Sequence, residues 1–138
     1  MTDRGLTHVA LPVREMEASL AFYRKYAGLD VVHDRVDPTS GARVTWVSDK
    51  TRPFVVVLIE VAEVKNPLLP LGHLGVGVAS REEVDRLCAE ARAEGRPCYG
   101  PADHGYPVGY FALISDPDQH TLELAFGQEV GLAVQGRA

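Results

Sequence analysis

Hydrophobic positions follow two different periods along the chain, and the change from one period to the other marks the predicted elements. Residues 6–13, LTHVALPV, alternate as a half-buried strand does, whereas residues 15–28, EMEASLAFYRKYAG, place apolar side chains at helical spacing. Gly28 provides a C-terminal stop for that helix. Three strand-like runs separated by turn-rich segments follow, at residues 29–36, 42–48 and 54–62.

The same succession begins again at residue 71. The run LGHLGVGVA, residues 71–79, reads as a strand, and a helix is predicted over residues 80–95. Ser80 and Glu83 have the spacing of a capping box at the start of that helix. Three further strands are predicted at residues 97–102, 109–115 and 120–126.

This internal duplication sets the predicted fold class, which is α+β. We expect one domain over residues 1–127, made of two βαβββ repeats at 5–63 and 71–127, with residues 128–138 as a C-terminal tail. The repeats are expected to form curled mixed sheets around a central cavity. In that arrangement the first and last strands of each repeat approach a common axis.

Composition and charge narrow the range of partners. The chain has 138 residues, of which 46% are hydrophobic and 24% charged, as in an ordinary soluble globular protein. A net charge of −5 argues against a nucleic-acid partner, because the phosphate backbone binds to basic surfaces. The apolar runs are shorter than the roughly 20 residues of a membrane helix, and the N-terminus leads directly into a strand. We therefore expect a cytoplasmic protein with no membrane partner.

Four residues with reactive or titratable side chains are not assigned to a functional site. Cys88 and Cys98 do not form a Cys-x-x-Cys motif and are expected to be reduced thiols. His33 and His120 are expected on the surface.

Strand alternation divides the predicted sheets into two faces, one of them apolar and suited to covering by the helices. The other face carries one imidazole and one carboxylate from each repeat: His8, Glu60, His73 and Glu123. Gly75 and Gly77 lie on this face and leave space beside His73. Any one of the four taken alone would be interpreted as a core histidine or a solvated glutamate.

Matched positions in both repeats favour a metal site instead. Four ionisable groups buried together are costly unless a cation compensates them. Imidazole and carboxylate ligands without thiolates suit a divalent ion such as Ni, Co, Zn, Mn or Fe(II). A cavity with a few convergent polar groups is also typical of a site for a small-molecule substrate.

Four segments resemble the vicinal oxygen chelate superfamily: THVALPV, SLAFYRKYAGLDVV, GHLGVGV and YFALISDPDQHTLEL. That superfamily includes glyoxalase I, methylmalonyl-CoA epimerase, extradiol dioxygenases, fosfomycin-resistance proteins and bleomycin-binding proteins, and the resemblance covers residues 5 to about 127. It implies a divalent metal with open coordination positions, held by His8, His73 and Glu123. Glyoxalase I and the epimerases have a fourth metal ligand, and Glu60 matches its position. Nearby Glu63 would lie on the opposite face of the strand.

The resemblance implies a metal-dependent lyase, isomerase or epimerase of the glyoxalase type, acting on a small carbonyl substrate through an enediolate. Either Glu123 or Glu60 would carry the proton. The alternatives are a non-haem Fe(II) extradiol-type dioxygenase and a metal-free antibiotic-binding protein. The family also leads us to expect a homodimer.

Several smaller features have two interpretations. Arg35 is either a contact for a substrate carboxylate or an exposed surface residue. The segment DHGYPVGYF, with His104, Tyr106 and Tyr110, is either the mouth of the pocket or a structural loop. In the turn DPDQ, Gln119 stands where the family pattern has a glycine, at a position where glycine relieves a positive φ.

Overall fold

The computed structural model describes residues 2–137 and divides the chain into two compact units, with the boundary between Pro67 and Leu68. Unit 1 contains β1 (His8–Val13), α1 (Met16–Ala27), β2 (Asp30–Val36), β3 (Arg43–Ser48) and β4 (Val55–Glu60). Unit 2 contains β5 (Leu74–Gly77), α2 (Arg81–Ala93), β6 (Cys98–Asp103), β7 (Tyr110–Ser115), β8 (Thr121–Phe126) and α3 (Val130–Val134).

Each unit has the order βαβββ, which confirms the predicted α+β class. The one-turn helix α3 lies in the predicted tail. No helix within residues 2–137 combines the length and the apolar character needed to cross a membrane.

Each unit has its own four-stranded mixed sheet. The strand order is β1-β4-β3-β2 in unit 1 and β5-β8-β7-β6 in unit 2. In both sheets the first and last strands of the unit are parallel neighbours, and the other pairs are antiparallel. One face of each sheet packs against its helix. We call the opposite face of each sheet the inner face.

Helix α1 has end signals that match its dipole. Glu17 lies in its first turn and Arg24 in its last, and Gly28 closes the helix in the left-handed conformation at φ 65°. Its buried side chains include Phe22, whose ring packs edge-on against Tyr23 with 5.0 Å between the centroids.

Helix α2 begins with half of the predicted capping box. Ser80 Oγ accepts a hydrogen bond from the Glu83 backbone N–H at 3.1 Å. The Glu83 carboxylate accepts from Arg86 Nε at 3.1 Å and so does not return to the backbone of Ser80. Val84 and Cys88 on the buried side of the helix pack against Ala112 of β7.

The two cysteines form a disulfide, so the prediction of reduced thiols is wrong. Cys88 is buried on α2 and Cys98 opens β6, and their Cα atoms lie 6.2 Å apart. Helix α2 packs directly on β6 and β7, which brings together residues ten positions apart. Spacing along the chain does not reveal this proximity.

Buried His120 closes the turn before β8, and its predicted surface location is wrong. Its Nδ1 accepts a hydrogen bond from the Leu68 backbone N–H at 3.0 Å, which ties the start of unit 2 to this turn. Asp116 Oδ1 accepts from the backbone N–H groups of Asp118 and His120 at 2.7 and 2.9 Å. Between them Gln119 has φ 72°, the positive φ anticipated from the DPDQ sequence.

Replacing Gln119 with Gly should stabilise the protein by about 1 kcal/mol, because glycine adopts this backbone conformation without the Cβ penalty. The free energy of unfolding is measured by urea denaturation. Gln135→Gly is the matched control, because Gln135 has φ −78° and gains nothing from glycine. An unchanged or lower midpoint for Gln119→Gly would show that the turn is not strained.

Candidate functional site

In unit 2, backbone carbonyl groups determine which nitrogen of the neutral His73 ring carries the proton. The residue immediately precedes β5, and its Nδ1 lies 3.2 Å from the Pro70 carbonyl oxygen and 3.0 Å from that of Leu71. Carbonyl oxygens only accept hydrogen bonds, so Nδ1 carries a proton, and in the neutral ring Nε2 keeps its lone pair. A histidine that donates one ring N–H to a backbone carbonyl presents the other nitrogen as metal-binding histidines do.

Glu123 shares the inner face with His73. In the parallel pair β5·β8 it lies opposite Gly75, and a Cβ added to Gly75 would be 3.5 Å from Glu123 Oε2. The carboxylate therefore borders the space that the glycine leaves. The Glu123 side chain is 12% exposed, and its Oε1 is 3.9 Å from His73 Nε2, beyond hydrogen-bond distance. In the neutral ring, Nε2 thus faces a carboxylate oxygen without a hydrogen bond between the two atoms.

Gln128 orients this carboxylate. Its Nε2 donates a hydrogen bond to Glu123 Oε2 at 3.1 Å, so one carboxylate oxygen is engaged while Oε1 is the oxygen nearer His73. Gln128 is not among the predicted site residues, since it follows β8 in a segment that has no counterpart in the first repeat. No pattern in the sequence distinguishes it from other polar residues near the C-terminus.

In unit 1, His8 is exposed at the start of β1, and its Nδ1 lies 2.9 Å from Thr7 Oγ1. It shares the inner face with Val55 and Val57 of β4. Val57 is opposite Ala10, as Glu123 is opposite Gly75, so valine occupies in unit 1 the register position that the glutamate has in unit 2.

Glu60 lies on the other face of this sheet, and the prediction that it shares a face with His8 is wrong. The register pairs His8 with Val55 and Glu60 with Val13, a buried residue on the helix side. Five residues of strand separate the two positions, or roughly 16 Å. Glu60 Oε2 accepts a hydrogen bond from the Met16 backbone N–H at 2.9 Å. Glu60 therefore caps the N-terminus of α1, where Glu15 provides no side-chain cap.

Among the predicted ligands, the structure thus pairs His73 with Glu123 and separates Glu60 from His8. Within residues 2–137 no group of three or more histidine, cysteine or acidic side chains is assembled for a metal ion. The metal-ligand set as a whole stays a prediction.

A cavity of about 670 Å³ lies in unit 1. His8, Val57 and Trp46 line it, together with Arg35, whose guanidinium carbon is 5.8 Å from the centre of the Trp46 ring. An apolar surface with a few polar groups is typical of a small-molecule pocket.

Tyr110 belongs to the helix side of unit 2. Its hydroxyl donates to an Asp85 carboxylate oxygen on α2, and this hydrogen bond raises the pKa of the phenol. The Arg81 guanidinium lies 4.6 Å from the ring centre. His104 packs edge-on against Phe111, with ring centres 4.8 Å apart. These contacts favour the structural interpretation of the segment.

Comparisons with known proteins agree with this architecture. Residues 5–124 match the family model described as the Glyoxalase/Bleomycin resistance protein/Dioxygenase superfamily. The uncharacterized protein PA2024 of Pseudomonas aeruginosa is 33% identical over 129 residues, which cover 91% of each chain.

Solved structures of varied function share the fold. Glyoxalase I of Leishmania major superposes with a TM-score of 0.74 at 22% identity, covering 99% of this chain and all of its own. The fosfomycin resistance protein FosX of Listeria monocytogenes, crystallised with Mn(II), has a TM-score of 0.71 at 19% identity, covering 96% of this chain and 99% of its own. TnmS3, an antibiotic binding protein of a Streptomyces species, has a TM-score of 0.63 at 24% identity, covering 91% of this chain and 98% of its own.

Glu60→Ala should lower the free energy of unfolding by about 1 kcal/mol, because the Met16 N–H loses its acceptor and the helix N-terminus its negative charge. Bound metal, measured by mass spectrometry, should not change. Glu60→Gln keeps an acceptor oxygen and should retain most of the stability. Glu63→Ala serves as an exposed control on the same segment. Loss of metal at unchanged stability would contradict the capping role.

Proposed function

The chain belongs to the glyoxalase/bleomycin resistance protein/dioxygenase superfamily, and from this we propose a metal-dependent lyase, isomerase or epimerase that moves a carbon-bound proton of a small carbonyl substrate. The observation that carries the proposal is the pair formed by His73 Nε2 and Glu123 Oε1, 3.9 Å apart and without a shared hydrogen bond. Two electron-pair donors facing each other on a half-buried surface are stabilised by a cation between them.

The donor atoms fit a divalent ion. His73 would provide Nε2 and Glu123 a carboxylate oxygen, and His8 is the third ligand that the family pattern supplies. Imidazole with carboxylate suits Ni, Co, Zn, Mn or Fe(II). Glu60 is not included, because its carboxylate is engaged at the start of α1. When bound, such an ion supplies Lewis-acid stabilisation of negative charge on substrate oxygens.

We assign the transfer of the substrate proton to Glu123 and not to Glu60, whose carboxylate caps α1. Glu123 Oε2, the carboxylate oxygen that does not face His73, accepts the carbon-bound proton of the substrate and returns it to the product. Gln128 holds Oε2 through its 3.1 Å hydrogen bond and so limits rotation of the carboxylate. The low exposure of the side chain restricts competing water molecules.

One observation favours the dioxygenase alternative. Without Glu60, the proposed ligands are two histidines and one carboxylate, the set that non-haem Fe(II) oxygenases use with open positions for substrate and dioxygen. This alternative requires iron and consumption of oxygen with a catechol.

The binding-protein alternative is supported by the apolar cavity of unit 1, which needs no metal to hold a ligand. TnmS3 is an antibiotic binding protein with this fold. The homodimer stays a prediction under all three alternatives.

The deciding experiment is the metal content of protein purified without chelator, measured by inductively coupled plasma mass spectrometry. We expect about one divalent ion per chain, lost in His73→Ala because the ion loses a ligand. His33→Ala is the control, since that imidazole packs on Trp46 at 4.7 Å between ring centres. Fe with catechol-dependent oxygen uptake would support the dioxygenase. Absence of metal after reloading would support the binding protein.

Glu123→Gln should abolish proton transfer while leaving the protein folded, because the amide cannot accept the proton. Exchange of the carbon-bound proton into D₂O is followed by NMR with dihydroxyacetone and with the hemithioacetal of methylglyoxal and glutathione as probes. Glu129→Gln is the matched control, because Glu129 is a neighbouring glutamate whose backbone N–H donates to the Pro107 carbonyl oxygen at 2.8 Å. Exchange at the wild-type rate in Glu123→Gln would contradict the assignment.

A further inference from the structure

The unit 1 cavity carries a charge opposite to that of the whole protein. The chain has a net charge of −5, yet Arg35, Lys50 and Arg52 line this cavity, and among the described residues Asp3 is the one acidic residue in the lining. With His8 neutral, the lining has an excess of two positive charges. Low-dielectric walls around such an excess concentrate the field inside a cavity and attract anions.

These cations are available for a ligand, in contrast to Arg43 on the same sheet. Arg43 donates to Asp34 at 2.8 Å and to Glu17, and the hydrogen bond from Arg43 lowers the pKa of the Asp34 carboxyl. Among residues 2–137, neither Arg35 nor Arg52 donates a hydrogen bond to a carboxylate, although Arg35 adds to the hydrogen bonds that lower the pKa of Asp37 and Arg52 adds to those that lower the pKa of Asp49.

Lys50 is only loosely paired. Its Nζ is 3.8 Å from Asp30 Oδ2, and the side chain is 61% exposed. A contact of that length in solvent contributes little, so the ammonium can exchange partners.

The rest of the cavity is apolar. Trp46 of β3 and Val57 of β4 are paired across the sheet on the inner face, and Phe54 precedes β4 at the cavity wall. A volume of about 670 Å³ is within the range of pockets that enclose small organic molecules. Inorganic anions alone would leave this apolar surface uncovered.

We propose that the cavity binds a small organic anion, in which a carboxylate or phosphonate group is carried on an apolar body. Arg35, Lys50 and Arg52 hold the anionic group, and the body packs against Trp46. The inference rests on the proposed function in one respect: His8, a proposed metal ligand, lines the same cavity, so the anion is the substrate class of that site.

The cavity contains the protein's single tryptophan, which makes binding directly observable. Phenylacetate, its neutral isostere phenylacetamide, and phenylphosphonate are titrated against Trp46 fluorescence in metal-free protein, with isothermal titration calorimetry as a second measurement. We expect an anion to bind at least about tenfold more tightly than the amide. Salt should reduce that preference by screening the charges. The carboxylate and phosphonate arms identify the preferred acid.

Arg35→Gln and Arg52→Gln should each weaken anion binding about tenfold and leave amide binding unchanged. Arg86→Gln removes the same charge from α2, where the arginine pairs only with Glu83 and Glu90 of its own helix, and should have no effect. Circular dichroism checks that each variant is folded. Equal binding of acid and amide, unchanged affinity in both cavity variants, or no binding of any probe would overturn the proposal.

The two proposals fail separately. Metal in the protein together with equal affinity for acid and amide would remove only the anion proposal. Selective anion binding in a protein that takes up no metal would remove only the proposed enzyme activity.

Discussion

Parallel pairing between the first and last strands of each unit determines which side chains can act together. Residues opposite each other in a parallel pair lie on the same face, and a slip of one position would exchange the faces. The register places Glu123 over Gly75, on the face of His73. The same constraint in unit 1 places Val57 over Ala10 and sends Glu60 to the helix side. A duplicated unit has thereby given one sheet with an imidazole–carboxylate pair and one sheet with an apolar cavity lined by cations.

The order and type of elements could be predicted because each depends on local periodicity. Alternation identified the strands, helical spacing identified α1 and α2, and the end signals at Gly28 and Ser80 match the observed caps. The placement of His73 and Glu123 on one face could also be predicted from alternation. In unit 2 the register of β5 and β8 puts the predicted residues of both strands on the same face. Alternation within one strand, however, does not fix its phase relative to a partner strand. The similar sequences LIEV and TLEL suggested a false equivalence for Glu60.

The remaining differences depend on contacts that local patterns do not encode. Cys88 meets Cys98 because α2 packs on β6, and His120 is buried because its ring accepts the Leu68 N–H. Gln128 reaches Glu123 from a segment outside the repeat. In each case a polar or sulfur-containing side chain is satisfied by a partner that the tertiary fold supplies.

The capping of α1 by Glu60 ties helix stability to closure of the sheet. The acceptor for the Met16 N–H comes from the last residue of β4, 44 positions further along the chain. Helix α1 therefore lacks this cap until β4 has docked beside β1, and we expect its first turn to form and to open together with the sheet. Unit 1 should behave as a single foldon, in which amide hydrogens of the helix N-terminus exchange by the same opening event as those of the central strand.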